Sequence, residues 1–161
     1  MNTNILVISD SHKEHEAVKK LLDAFASQIE YAVHLGDNAY DLLRFEPLYP
    51  DVKMKAVAGN CDPGSAAPQE IILEVQGRSV LLTHSHKLNT KLSLDRLIYY
   101  AAEKNAAACL FGHTHDPIVF ERGPVLFLNP GSLGEPYMRK PSYGLLSVSE
   151  QGVFNGKIIT L

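Results

Sequence analysis

Four consecutive apolar residues, Ile5, Leu6, Val7 and Ile8, run straight into Ser9, Asp10, Ser11 and His12. A short unbroken apolar run closed by polar residues predicts a strand buried on both faces, as at the centre of a parallel sheet. Open α/β sheets place their ligands beyond the carboxyl ends of such strands. Residues two apart on a strand share a side. If strand geometry persists, Asp10 and His12 therefore emerge together at that edge. A carboxylate oxygen and an imidazole nitrogen aimed at one point suit a divalent metal. The plain alternative is a strand end carrying two solvated polar side chains.

The rest of the first half extends this layout. Ala17, Val18, Leu21, Leu22 and Phe25 recur at helical spacing and predict an amphipathic helix over 14–28. Tyr31 to Leu35 reads as a second buried strand ending at Gly36-Asp37-Asn38, and 39–45 as a short helix stopped by Pro47 and Pro50. A third strand, Met54 to Ala58, runs into the turn Gly59-Asn60-Cys61-Asp62-Pro63-Gly64. Alternating strands and helices of this kind form a parallel sheet with crossover helices. The character then changes. Residues 71–75 and 79–83 flank Gln76-Gly77-Arg78 as a hairpin, 118–121 and 125–128 form a second, and 143–161 a third turning near Gln151-Gly152. Between the first two, Leu94, Leu97, Ile98, Ala101 and Ala102 mark a helix, and 107–111 a strand ending at Gly112. The 161 residues are expected to form a single domain, 1–161, of two packed sheets with helices on their outer faces.

Charge and cysteine usage exclude several classes. A net charge of −3 without any Lys/Arg run argues against a nucleic-acid-coating protein. Cys61 and Cys109 form no CxxC pair, so neither a disulfide framework nor a zinc ribbon is expected. No stretch reaches transmembrane length and the first apolar run is too short for a signal peptide, which makes a cytoplasmic protein without membrane partners the expectation. A homo-oligomer is left open. Histidine is the unusual residue: of seven, five fall in short clusters, at His12, at His84 and His86, and at His113 and His115. His34, inside an apolar strand, reads as a satisfied core histidine, Cys109 as a small core hydrophobe, and Asp62 as a turn cap. Arg139 and Lys140 read as a solvated rim.

Polar residues gather where buried strands do not need them: Asp10-Ser11-His12, Gly36-Asp37, Gly59-Asn60, His84-Ser85-His86 and Gly112-His113-Thr114-His115. Gly36, Gly59 and Gly112 each precede a potential ligand, where a glycine lets the backbone turn sharply and come close to an ion. The series Asp-x-His, Gly-Asp, Gly-Asn, His-x-His, Gly-His-x-His resembles the calcineurin-like metallophosphoesterase superfamily. The Gly59-Asn60-Cys61-Asp62 form and the Asn129-Pro130-Gly131-Ser132 turn resemble its small bacterial and archaeal phosphodiesterase branch.

The resemblance implies an αββα sandwich of two mixed sheets flanked by helices, in agreement with the element pattern. It further implies two divalent ions per chain. Asp10, His12 and His115 would hold the first, Asn60, His84 and His113 the second, and Asp37 would bridge them, since a shared carboxylate offsets repulsion between close dications. Oxygen and imidazole ligands without thiolate suit Mn²⁺, with Ni²⁺, Fe²⁺, Zn²⁺ or Mg²⁺ as alternatives. The implied reaction is hydrolysis of a small phosphoester by in-line attack of a metal-bound hydroxide. Two dications against Asp10 and Asp37 leave a double positive charge, which a hydroxide and a diester monoanion neutralise; this favours diesters, and an outer Lys or Arg would reverse it. The chain departs from the family at Cys61, where a leaving-group histidine is usual, at Ser85, where glycine is usual, and at Lys13-Glu14. The acid role therefore falls between Cys61 and His86. Competing readings are a phosphomonoesterase, a nuclease, and a scaffold like the retromer subunit of similar fold. The nuclease is disfavoured because the short spacings from Asp37 to Asn60 to His84 leave no room for a DNA-gripping cap.

Overall fold

The computed structural model describes residues 1–161. Its first half is β1 (Thr3–Ile8), α1 (His15–Phe25), β2 (Tyr31–His34), the short α2 (Tyr40–Leu43) and β3 (Lys53–Ala56). Then come β4 (Glu70–Val75), β5 (Arg78–Thr83), α3 (Asp95–Glu103), β6 (Ala108–Phe111), β7 (Ile118–Arg122), β8 (Val125–Asn129), β9 (Ser142–Val148) and β10 (Phe154–Thr160). Two five-stranded sheets result, ordered β10-β9-β1-β2-β3 and β4-β5-β6-β8-β7. Both are mixed. β1, β2 and β3 run parallel while β9 and β10 add antiparallel strands; β5, β6 and β8 run parallel with antiparallel β4 and β7 at the edges.

The burial of β1 explains its composition. Ile5 and Val7 face the second sheet, joining Val33, Leu35, Val80, Leu82, Leu110 and Leu128 in the core between the sheets. Leu6 and Ile8 face the other way, against Val18, Leu21 and Leu22 of α1 and Leu42 of α2. A strand covered on both faces has no polar positions, so alternation disappears. On the far side, Leu97 and Ala101 of α3 pack on Leu81, Cys109, Phe111 and Phe127. The layers are thus helix, sheet, sheet, helix, the αββα sandwich. Each fully buried leucine of α1 contributes roughly 1.5–3 kcal/mol, which holds the helix across the parallel strands.

The expected hairpins lie at β4–β5, β7–β8 and β9–β10. The first helix stops at Phe25, three residues short of the expected end, in a non-helical turn before Ile29. This packing has a positional consequence. The parallel strands of both sheets carry the expected polar clusters at their carboxyl ends, and the clusters meet along one edge.

Candidate metal centre

β1 ends at Ile8, and Asp10 and His12 do not continue it. Both adopt left-handed backbone, with φ of 52° and 44°, so they converge through a turn and not through strand alternation. Asp37, His113 and His115 are also left-handed, at 61°, 73° and 60°. Such conformations cost on the order of 1 kcal/mol each and persist here because the loops are tied from several sides. Ser132 Oγ donates to the Asp10 carbonyl at 2.7 Å, and Leu133 N–H to the Ser9 carbonyl at 3.1 Å. Asn129 Nδ2 donates to the Gly112 carbonyl at 3.2 Å and to Thr114 Oγ1 at 2.9 Å. The Asn129–Ser132 turn therefore braces both the Asp10 loop and the His113 loop.

Close backbone approach explains the glycines. Gly36 takes φ of 105°, which L side chains rarely adopt. A Cβ at Gly59 would overlap Asp37 Oδ1, and one at Gly112 would overlap Ser9 Oγ. All three positions are therefore closed to larger residues.

Asp10, His12, Asp37 and His115 offer ligand atoms that lie within 4.8 Å of one another. His115 Nε2 sits 3.1 Å from Asp10 Oδ1, and His12 Nε2 lies 3.7 Å from Asp37 Oδ2. On the other side of Asp37, His84 Nε2 is 3.4 Å from Asp37 Oδ1 and 3.0 Å from Asn60 Oδ1. The His113 ring centroid is 5.0 Å from that of His84. All seven expected ligands meet, with Asp10, Asp37, His84 and His115 buried and Asn60 exposed.

The tautomers show what the centre lacks. His84 Nδ1 donates to the Leu35 carbonyl at 2.7 Å, and His115 Nδ1 to the Glu135 carbonyl at 2.5 Å. A neutral imidazole so anchored points the Nε2 lone pair inward, here at carboxylate and amide oxygens. Asp10 Oδ1 and His12 Nε2 are moreover buried without a hydrogen-bond partner. Acceptors facing acceptors in a buried site need a proton or a metal cation between them. The donor set is that of a hard to borderline divalent ion.

Comparison with known proteins agrees. The profile of the calcineurin-like phosphoesterase superfamily domain matches residues 3–151. This chain belongs to the calcineurin-like phosphoesterase superfamily. It is 31% identical to the probable metallophosphoesterase YsnB of Bacillus subtilis, over 90% of this chain and 84% of that one. It is 29% identical to the phosphodiesterase YfcE of Escherichia coli K12, over 88% and 86% of the two chains. A crystal structure of a predicted phosphoesterase from Streptococcus pneumoniae superposes with a TM-score of 0.84 at 30% identity, covering 99% of this chain and 90% of that one. Family and Asp/His cluster together make this a metal-binding phosphoesterase.

Protonation in the calcineurin-like centre follows the same logic. Burial alone would push His84 and His115 down, but the Asp37 and Asp10 carboxylates beside them outweigh it and raise both. Without a metal, protons take the place of cations. Burial raises Asp37, yet the His84 hydrogen bond and charge and the Cys61 N–H bond hold it well below the usual carboxylate range. Burial pushes His113 down to about 4, with the positive charges of His84 and Lys91 adding to the effect. His86 packs 5.3 Å from His84 and 6.0 Å from His113, and burial with the His84 charge lowers it. Cys61 is exposed beside Asn60, and burial of its thiol with the Asp37 charge raises it.

Two residues do more in this phosphoesterase than the sequence foretold, and a third, His34, does what it foretold. Asp62 accepts four backbone N–H bonds: Asp37 at 2.9 Å and Gly59 at 2.8 Å on Oδ2, Asn38 at 2.8 Å and Ala39 at 3.2 Å on Oδ1. It clamps the two loops that carry Asp37 and Asn60. Asp41, unnoticed in the sequence, is a buried acid on α2. His34 Nδ1 accepts the Gly36 N–H at 3.1 Å, so its proton lies on Nε2 and goes to Ser11 Oγ at 2.7 Å. Ser11 Oγ in turn donates to Asp41 Oδ2 at 2.7 Å, which also takes the Lys13 N–H at 2.8 Å. His34 is thus a fully satisfied core histidine, and burial lowers it to about 4. A buried-face acid at i+4 from Asp37 was the one available sign of Asp41. Arg139 is paired with Asp116 at 2.9 Å on the rim. No helix is long and apolar enough to cross a membrane.

Proposed function

We propose that the chain, as one metallophosphoesterase domain, is a phosphodiesterase with a two-ion centre. Asp10, His12 and His115 would hold the first ion, Asn60, His84 and His113 the second, and Asp37 would be shared between them. The observation that carries this reading is the set of buried acceptors without a donor: Asp10 Oδ1 and His12 Nε2, with the Nε2 lone pairs of His84 and His115 aimed at oxygens. When bound, divalent ions supply Lewis-acid polarisation of the phosphoryl group and a nucleophile at neutral pH; Mn²⁺ is the proposed ion.

The chain's own residues do the rest. The Leu35 and Glu135 carbonyls keep the protons of His84 and His115 on Nδ1 and fix their ligating atoms. The Cys61 N–H and Asp62 hold Asp37 between the two groups of ligands it would join. A diester monoanion with a hydroxide nucleophile neutralises the formal charge left by two dications, Asp10 and Asp37. Neither candidate acid is strong. Burial lowers His86 and so disfavours its protonated form, and Cys61 is raised but a thiol is a weak donor. The rate therefore falls steeply as the leaving group becomes more basic, because general acid catalysis ordinarily contributes roughly 10²–10⁴-fold. Introducing Cys61→His raises the rate on alkyl esters.

The deciding assay compares an aryl phosphodiester with the matching monoester in Mn²⁺-supplemented buffer. Faster diester hydrolysis is expected. A monoester kcat/KM about ten times the diester value overturns the diester reading. Tight binding of both ions with hydrolysis of neither ester leaves the scaffold reading in its place.

A further inference from the structure

The two carboxylates of the centre present their oxygens differently. Asp37 turns Oδ1 to His84 Nε2 at 3.4 Å and Oδ2 to His12 Nε2 at 3.7 Å. Asp10 turns only Oδ1 inward. That oxygen lies 3.1 Å from His115 Nε2, 3.9 Å from His12 Nε2 and 4.0 Å from His84 Nε2, and it has no hydrogen-bond partner. Oδ2 is held from behind by two donors, the Ser9 hydroxyl and the His113 N–H at 3.1 Å. Ser9 is fully buried, and its hydroxyl donates to Asp10 alone. Ser11, equally buried on the other side of Asp10 in the chain, bonds no proposed ligand; its hydroxyl goes to Asp41 and His34. Gly112 completes the arrangement, because a Cβ there would overlap Ser9 Oγ and crowd Asp10 Oδ2. The glycine makes room for the contact behind the carboxylate.

We propose that Ser9 is a positioning residue that keeps Asp10 a one-oxygen ligand and so biases the first ion site against Ca²⁺. This rests on the two-ion reading above. Two donors on Oδ2 pin the rotation of the carboxylate, so Oδ1 faces the histidines before any ion arrives. Ca²⁺ collects roughly six to eight oxygens and often takes both from one carboxylate, whereas a smaller dication served largely by imidazole needs one. Without the Ser9 hydroxyl, Oδ2 keeps only the His113 N–H, and the carboxylate is free to swing toward two-oxygen contact. Ser9 bonds no side chain of Asn60, His84 or His113, so the effect is confined to one ion.

Calorimetric titration of the metal-free protein with Mn²⁺ and, separately, with Ca²⁺ tests this without turnover. In Ser9→Ala one of the two Mn²⁺ sites is expected to weaken about tenfold, as when a ligand loses the partner behind it, while the other holds its affinity. Ca²⁺ weakens less, so the ratio of Mn²⁺ to Ca²⁺ affinity at that site falls about fivefold. Ser9→Cys fills the same space with a weaker donor and is expected to move the ratio the same way by a smaller factor. Where Ser9→Ala fails to fold, Ser9→Cys decides. A serine that only fills space would change both metals alike. Equal loss of Mn²⁺ and Ca²⁺, equal loss at both Mn²⁺ sites, or no loss beside two ions bound by the parent overturns the role of Ser9 alone. Failure of the parent to bind two Mn²⁺ ions overturns the two-ion reading, and this role with it.

Discussion

Asp62 is the sharpest place to test how the centre is held together. Its carboxylate accepts N–H bonds from Asp37, Asn38, Ala39 and Gly59, at 2.8–3.2 Å. Three of these residues, Asp37, Ala39 and Gly59, are buried, so water replaces the lost acceptor poorly. Hydrogen bonds to a charged group contribute roughly 1.5–3 kcal/mol each, and an unsatisfied buried donor costs about 1–3 kcal/mol. Allowing one or two N–H groups to find water, Asp62→Ala should lose about 3–5 kcal/mol, a large fraction of an ordinary domain's stability. Asp62→Asn separates charge and geometry from simple bulk. Its carbonyl can serve one pair of donors, but its NH₂ then faces the other pair. About half the loss, ~1.5–2.5 kcal/mol, should remain in a side chain of unchanged shape. Urea denaturation of the metal-free protein gives these values directly, and Mn²⁺ titration of the folded variants reports the centre. Since the Asp37 N–H is one of the four donors, Mn²⁺ affinity should fall in the same order, parent above Asn above Ala. A change below about 1 kcal/mol in Asp62→Ala, or an Asn variant as stable as the parent, would show that the loops hold their shape without the clamp.

Three further outcomes follow from the same geometry. His84 and His115 are raised, so they stay protonated to higher pH than free histidine. Metal binding must displace those protons, and Mn²⁺ affinity should fall as pH drops toward and below about 6.5. Calorimetry in buffers of different ionisation enthalpy should find proton release there; zero release would contradict the upward shift of His84 and His115. Asp37→Ala should abolish hydrolysis and weaken both ions, whereas His115→Ala should weaken mainly one; elemental analysis after dialysis distinguishes them, and full retention of both ions in Asp37→Ala would end the bridging role. His34 is depressed to about 4 in the folded protein against about 6.5 unfolded. The unfolded chain therefore binds the extra proton, and this stability, complete above about pH 6.5, is lost as pH falls toward 4, by about 3 kcal/mol. Comparing urea midpoints of the parent and His34→Gln across that range should show the parent's steeper decline, and parallel curves would refute it.

The core of β1 was legible because its signal is local. Ile5 to Ile8 show no alternation, and burial on both faces is the direct reason. The proposed ligands were legible by type and by their position after strands. Their geometry was not. Alternation would bring Asp10 and His12 to one side of an extended strand, yet each reaches the centre from left-handed backbone. Nothing in the identity of an aspartate or histidine announces that conformation; it is imposed by contacts such as Ser132 to Asp10, 122 positions apart in the chain. The same reason hides Asp41, whose importance lies in Ser11 and Lys13 on another segment, and Asp62, which reads as a turn cap until the Asp37 loop is beside it.

The departures from the family pattern make the same point in reverse. Ser85 and Cys61 look like losses when judged at their own positions. In the folded chain, the Ser85 hydroxyl meets Thr90 and fixes the start of the loop that carries Lys91. The Cys61 backbone N–H still binds Asp37 at 2.9 Å whatever side chain it bears. A substitution at Cys61 should therefore leave the Asp37 contact in place, whereas one at Ser85 removes a buried contact with Thr90. In the proposed reading the ligands would hold the ions, and the residues between them, which ligate nothing, would tune which phosphoester is preferred. For that reason Cys61→His should change how the rate depends on leaving-group basicity and leave ion stoichiometry intact, and a variant that loses an ion would refute this separation.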